Sequence, residues 1–218
     1  MKKLIAGFAV LTALLLTGCA PHKKPYDYSA FRASKPASIL VLPADNKAPD
    51  VNAAHSFTSL VTQPLAEAGY YVFPVAVVEE TFQQNGLTNG HDVQAVSTKR
   101  LHDIFHADSA LYISITDYGT RYLVVDSNTM VSASARLVDL RTGKQLWEGS
   151  ATANDGENGN NNSGGIIGIL VSAAVKQIAN NVTDKAHTVA GVTSVRLLAQ
   201  NEDGGLLAGP RRPLSVTH

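Results

Sequence analysis

The chain has 218 residues, with 18 Lys and Arg balancing 18 Asp and Glu, and 44% of it is hydrophobic. That composition supplies one ordinary core, and a formal net charge of zero with no basic block argues against a nucleic-acid partner. A single cysteine, Cys19, rules out an intrachain disulfide, a cysteine-based zinc site and a thioredoxin-like pair.

The first element is an export signal. Met1-Lys2-Lys3 is cationic, Leu4 to Leu16 is almost wholly apolar, and small residues close the segment. The apolar run is shorter than the roughly 20 residues a membrane span needs. Leu16-Thr17-Gly18-Cys19 resembles the lipobox of bacterial lipoproteins. The resemblance implies that the Cys19 thiol takes a diacylglycerol, that the signal peptide 1–18 is removed, and that the new amine is acylated, for example with palmitate. No thiol is then left for catalysis. Ala20, where inner-membrane lipoproteins of enterobacteria tend to carry aspartate, resembles the outer-membrane sorting pattern. The expected location is therefore the outer membrane, with the domain facing the periplasm.

Residues 19–37 read as the lipidated cysteine and a linker, with Pro21, Pro25 and Pro36 among Lys23, Lys24 and Lys35. Tyr26, Tyr28 and Phe31 are too apolar for a spacer and are expected to dock on the domain or on a partner. The domain is expected over 38–200. Ser38-Ile39-Leu40-Val41-Leu42-Pro43 is a buried strand. Asp50 to Ala68 carries Ala54, Phe57, Val61, Leu65 and Ala68 on one helical stripe, with Asp50 to cap it, Pro64 to kink it and Gly69 to end it. Tyr70 to Pro74 is a second strand, parallel to the first. Val75 to Gln84 is a short helix, and Asp92 to His106 is another. Ala110 to Thr116 alternates, with Leu111, Ile113 and Ile115 on one face. A turn at Tyr118-Gly119 separates it from Arg121 to Asp126. Thr129 to Leu140 alternates again, and Arg141-Thr142-Gly143-Lys144 turns into Gln145 to Ala151, with Trp147 as its bulky member. Asp155 to Gly165 is an Asn- and Gly-rich loop. Ile166 to Ala190 is a long helix, and 201–218 reads as a flexible tail.

The fold class is α/β. Four stretches together resemble a neisserial-type family of outer-membrane lipoproteins of unknown function. They are Ser38 to Pro43, Pro64-Leu65-Ala66-Glu67-Ala68-Gly69-Tyr70-Tyr71-Val72-Phe73-Pro74-Val75, Tyr112-Ile113-Ser114-Ile115-Thr116-Asp117-Tyr118-Gly119-Thr120 and Leu137-Val138-Asp139-Leu140-Arg141-Thr142-Gly143. The resemblance spans about Tyr26 to Arg211. It implies a mixed sheet with packing helices like the N-terminal domain of TolB, a domain that recurs in CsgG and LpoB. Members of the family are often encoded beside a CsgG-like lipoprotein, which makes such a protein the implied partner. A shared fold transfers no activity.

Chemistry leaves little trace. There is no Gly-x-Ser-x-Gly elbow and no phosphate loop, and Gly164-Gly165-Ile166-Ile167-Gly168 lacks the dinucleotide pattern. His102 and His106 stand four apart with Asp103 between them, but no third metal ligand is implied. Asp155 and Glu157 precede a run of asparagines without the spacing of a calcium loop. Asp117, Asp126 and Asp139 lie near strand ends, where a carboxylate pair for sugar chemistry would need to face across a cleft. Tyr112, Tyr118 and Tyr122 form either a contact surface or ordinary sheet packing, with packing the simpler account.

These observations favour a non-enzymatic interaction module of the cell envelope, without catalytic residues, cofactor or metal. The competing reading is an envelope enzyme acting on peptidoglycan or another glycan; a carrier of lipid or a small molecule is a third. The turn Ile166, Ile167, Leu170 is apolar nearly all round, so it is expected to be core or an interface, either in a homodimer or with another envelope protein.

Overall fold

The computed structural model describes residues 25–122, 127–156 and 184–212. Its centre is a mixed sheet in the order β3-β1-β4-β5-β6, with a short β2 paired to β4. Strand β1 (Ser38–Val41) runs parallel to β3 (Tyr71–Val72) on one side and to β4 (Ser109–Tyr122) on the other. Its residues are apolar without alternation because both faces are covered, as a central parallel strand requires. Ile39 and Val41 enter one core, and Leu40 and Leu42 the other. Strand β2 is Asp45–Asn46. From β4 the chain folds back as an antiparallel meander through β5 (Ser127–Asp139) and β6 (Gln145–Asn154).

One face of the sheet carries α1 (Ser29–Ser34), α2 (Ala53–Glu67) and α6 (Lys185–Leu197). The other carries α3 (Val75–Gln84), α4 (Gly90–Gln94) and α5 (Thr98–Phe105). The expected α/β class, parallel strands with helices followed by an antiparallel meander and a packing helix, is observed; the structure adds β4 as a third strand parallel to the first two, and the packing helix is Lys185–Leu197, the expected Ile166 to Ala190 lying largely outside the described residues. The bounds of α3 coincide with those read from the sequence.

Helix α2 starts later than expected. Asp50 does not cap it; its carboxylate accepts from the Asn52 N–H at 2.8 Å and so shapes the turn before the helix. Pro64 sits inside the helix and cannot donate to the Leu60 carbonyl. The Ser194 hydroxyl of α6 approaches that oxygen at 3.5 Å, so the packing helix supplies the missing donor.

Four expectations differ from the fold. The segment 92–106 is two helices, because Ser97 leaves helical geometry and its hydroxyl caps α5 by accepting from Arg100 N–H. The buried stripe is then Val93 and Leu101, and Ile104 is half exposed. Strand β4 is continuous through Gly119. A register shift between Ile115 and Asp117 and a φ of +117° at Gly119 bend the strand without ending it. The described part of the expected linker, 25–37, contains helix α1 where an extended spacer was expected, and the docking expected of its aromatic residues is on the domain. Tyr28 and Phe31 are buried, and the Tyr26 hydroxyl accepts from the Glu148 N–H at 3.0 Å.

The fourth is the tail. Residues 201–212 lie on the domain, with Leu206 fully buried. Gly209 N–H donates to Ala68 O at 2.8 Å and Arg211 N–H to Gly69 O at 3.1 Å, meeting carbonyls that the end of α2 leaves open. Gly69, at φ +92°, admits this approach, since a Cβ there would lie 2.2 Å from Arg212 N. Among the described residues no helix is long and apolar enough to cross a membrane.

Asp139 ties three segments together. Its buried carboxylate accepts from the Ser34 hydroxyl at 2.5 Å and from the Arg141 and Thr142 N–H groups at 2.9 and 2.8 Å. Burial pushes this carboxyl up, but the hydrogen bonds from Ser34, Thr142 and Arg141 outweigh it and hold it below the usual range. A lowered folded-state value means the contribution is full above the unfolded carboxylate value of about 3.9 and is lost as pH falls through the folded value. Asp139→Asn is expected to lose about 2 kcal/mol at pH 7 and to flatten the acid limb of the stability profile. Denaturant titrations at pH 7 and pH 3 check this; an unchanged acid limb would show that Asp139 does not govern it.

Candidate functional site

Strand β1 is flanked by β3 and β4. The crossover from β1 to β3 runs over one face of the sheet, and that from β3 to β4 over the other. Adjacent parallel strands whose helices leave on opposite faces open a crevice at their carboxyl ends, the usual ligand position in such sheets. A cleft of about 500 Å³ lies there. Val41, Pro43 and Ala44 form its floor, the first turns of α2 form one wall, and α3 with the 87–93 segment forms the other. Gly90 makes this closure possible, since a Cβ there would sit 2.0 Å from the Ala44 carbonyl oxygen.

The cleft is apolar below and polar at its rim. Val51 stands at the rim and is 82% exposed. His55 Nδ1 of α2 lies 3.1 Å from Glu79 Oε1 of α3, joining the two walls. His55 is open to solvent and Glu79 partly so, and an exposed pair of this kind contributes little to stability. Asp45 faces Lys47 at 3.7 Å. Thr58, 9% exposed, lines the cleft wall with its hydroxyl oxygen buried and unpaired. The set could hold a small polar group, and its apolar floor could take a side chain of a partner.

The sequence pattern contained a signal for this site that went unread. A buried strand ended by Pro43 and followed by a crossover helix puts 43–51 at a strand's carboxyl end. His55 and Glu79 lacked any local signal, because only folding brings α2 beside α3. The same is true of a relay from Tyr118 through Ser56 to His187. The Tyr118 hydroxyl donates to Ser56 Oγ at 2.6 Å, and Ser56 Oγ lies 2.7 Å from His187 Nδ1. Ser56 Oγ accepts from Tyr118, and whether it donates to Nδ1 or accepts from it depends on the tautomer of His187. The relay joins β4, α2 and α6, and none of its three residues lines the cleft.

The other sites read from the sequence separate into two groups. Cys19, Leu16, Thr17 and Gly18 lie outside the described residues, as do Ile166, Ile167, Leu170, Asp126 and Glu157. The rest are placed. Asp117 and Asp139 do not face each other. Asp139 pairs with Ser109 and Asp117 with Ser132, so they are about eight residues, or roughly 25 Å, apart along β4. Glycosidic cleavage needs carboxyl groups about 5–9.5 Å apart. Asp117 instead pairs with Arg121. Asp155 accepts from Thr129 N–H at 2.9 Å and closes the β5–β6 ladder. The His102 and His106 rings stand perpendicular at 6.1 Å, and Asp103 is held by Lys99. Among the described residues no group of three His, Cys, Asp or Glu side chains is placed to hold a metal. Tyr112, under Arg136 at 4.1 Å, and Tyr118 are buried, so they pack the sheet. Burial raises both phenol pKa values above their ordinary value.

A family model described as "Putative lipoprotein GNA1162-like" matches residues 26–211. The chain belongs to the GNA1162-like lipoprotein family. It is 52% identical over 212 residues to the lipoprotein NMB1124/NMB1162 of Neisseria meningitidis serogroup B (strain ATCC BAA-335 / MC58), with 97% of each chain covered. The crystal structure of lipoprotein GNA1162 from Neisseria meningitidis is similar at a TM-score of 0.55 and 57% identity, covering 66% of this chain and 99% of that one. Escherichia coli LpoB is a weaker likeness, with a TM-score of 0.42 and 18% identity over 63% of this chain and 73% of its own. Family membership agrees with the resemblance carried by the four stretches above, and it brings no activity with it.

Proposed function

We propose that the mature protein is an outer-membrane lipoprotein, held by acyl chains on Cys19, whose domain serves in the periplasm as a non-enzymatic interaction or assembly module. A CsgG-like lipoprotein is the first partner to test. The observation that supports this reading best is the cleft at the carboxyl end of β1. Its apolar floor and the solvent-exposed Val51 at its rim suit a partner's side chain. Its rim charges, His55 with Glu79 and Asp45 with Lys47, are engaged with each other. Of the three carboxylates on which a glycan-cleaving alternative would lean, Asp117 and Asp139 stand far apart in the β4–β5 ladder, and Asp126 lies outside the described residues.

A photocrosslinking residue at Val51, compared with one at the exposed Gln84, tests the proposal in intact cells. The expected result is capture of one defined envelope protein from Val51 alone. Equal capture from both positions would remove the cleft as the docking site. Release of fragments from peptidoglycan by the purified domain would favour the enzyme.

A further inference from the structure

Between Cys19 and the docked segment there are few residues. Tyr26 is fixed by its hydroxyl on the Glu148 N–H of β6, and Tyr28 donates to Gly205 O at 2.5 Å. Phe31 is buried, Ser34 is bound to Asp139, and Asp108 Oδ2 accepts from the Ala37 and Ser38 N–H groups at 3.0 Å. The described chain begins at Pro25, beside the outer edge of β6. From Cys19 to Pro25 is six residues, which span at most about 20 Å when fully extended. A domain of this length is about 40 Å across. The tether is thus shorter than the body it holds, and it keeps the edge beside Pro25 within about 20 Å of the surface that holds the lipid.

We infer that the β6 edge is the membrane-facing surface of the domain, apposed to the phospholipid headgroup layer. This inference rests on the proposed lipid anchor at Cys19. Strand β6 is the last in the sheet, and its outward backbone groups would otherwise invite another strand. Two are met by side chains: Glu148 N–H by Tyr26, and Thr152 O by Arg196 at 3.0 Å. Ser150 lies between them, and its N–H and C=O point the same way, because alternate residues of a strand face the same side. Beside this stretch is a groove of about 790 Å³ whose rim includes Glu148, Ser150, Arg196 and Asn201. A rim of both charge signs with hydroxyl and amide groups suits hydrated, zwitterionic headgroups better than acyl chains. The opposite edge, β3, lies four strand spacings away, about 19 Å. The cleft beside β1 and β3 then belongs to the half of the domain turned towards the periplasm.

The test uses the full lipidated chain in vesicles of phosphatidylethanolamine and phosphatidylglycerol. Its own cysteine is consumed by lipid, so single dyes go onto Ser150→Cys on β6 and Val77→Cys on α3. Energy transfer to an acceptor on the lipid headgroups is measured for each. Transfer from position 150 is expected to exceed that from 77 by at least about twofold. Inserting about 20 Gly and Ser residues after Lys24 is expected to abolish the difference. Equal transfer in the native-length chain, greater transfer from 77, or a difference that survives the insertion would each overturn the inference. Failure of the anchor itself would be seen separately, as protein that does not float with the vesicles.

Discussion

Trp147→Ala is expected to destabilise the domain by about 3–5 kcal/mol, a drop in melting temperature of roughly 10 °C. Trp147 is 1% exposed and lies opposite Leu137, in the core beneath α2 and α6. Its ring is too large for a strand unless the next residue on the same side yields, and Gly149 does; a Cβ there would sit 2.5 Å from the ring. Truncation to alanine removes the largest fully buried side chain among the described residues and opens a cavity that Gly149 cannot help to fill. It also takes the indole N–H from the Gly204 carbonyl, 3.0 Å away. Trp147→Phe separates the two contributions. It keeps most of the packing and loses the hydrogen bond, so about 1 kcal/mol is expected. Thermal melts of the three proteins decide it; a midpoint unmoved by alanine would place Trp147 outside the core.

Cys19→Ala has the other large effect, on location. The apolar segment before it is too short to span a bilayer stably, so membrane residence is expected to depend on lipid. Each buried methylene contributes about 0.8 kcal/mol, and two or more acyl chains make release negligible. The alanine variant is expected to incorporate no labelled palmitate and to migrate as the uncut precursor. Label on the variant at the wild-type level would show that another residue carries the lipid.

The sequence was most legible where one local pattern settles the structure. Helix α3 could be bounded because Pro74 and Asn85-Gly86 flank it, and β1 because an apolar run ends at Pro43. The alternation in β4 and β5 reported correctly which residues face α2 and α6, since Leu111, Ile113, Ile115, Val131 and Leu137 all lie in that core. The break between α4 and α5 was signalled by Ser97, but the apolar spacing of Val93 and Val96 concealed it. Gly119 reads as a turn on its own and is held in a strand by its partner Met130. The glycines and prolines after Asn201 suggest looseness. Their order comes from hydrogen bonds to residues 28, 68, 69, 70 and 147, which composition cannot register. The cleft was hidden for the same reason, being assembled from five elements between Val41 and Val93.

Those last contacts bear on the order of events in the life of the chain. Trp147, Tyr28 and Tyr70 each bury an aromatic ring whose polar atom is satisfied by a backbone carbonyl from the final stretch, at Gly204, Gly205 and Leu207. A nascent polypeptide that has been made only as far as α6 has three such rings without their acceptors, and the end of α2 without Gly209 and Arg211. The core around these rings is therefore complete only once residues 204–211 have been made and have docked.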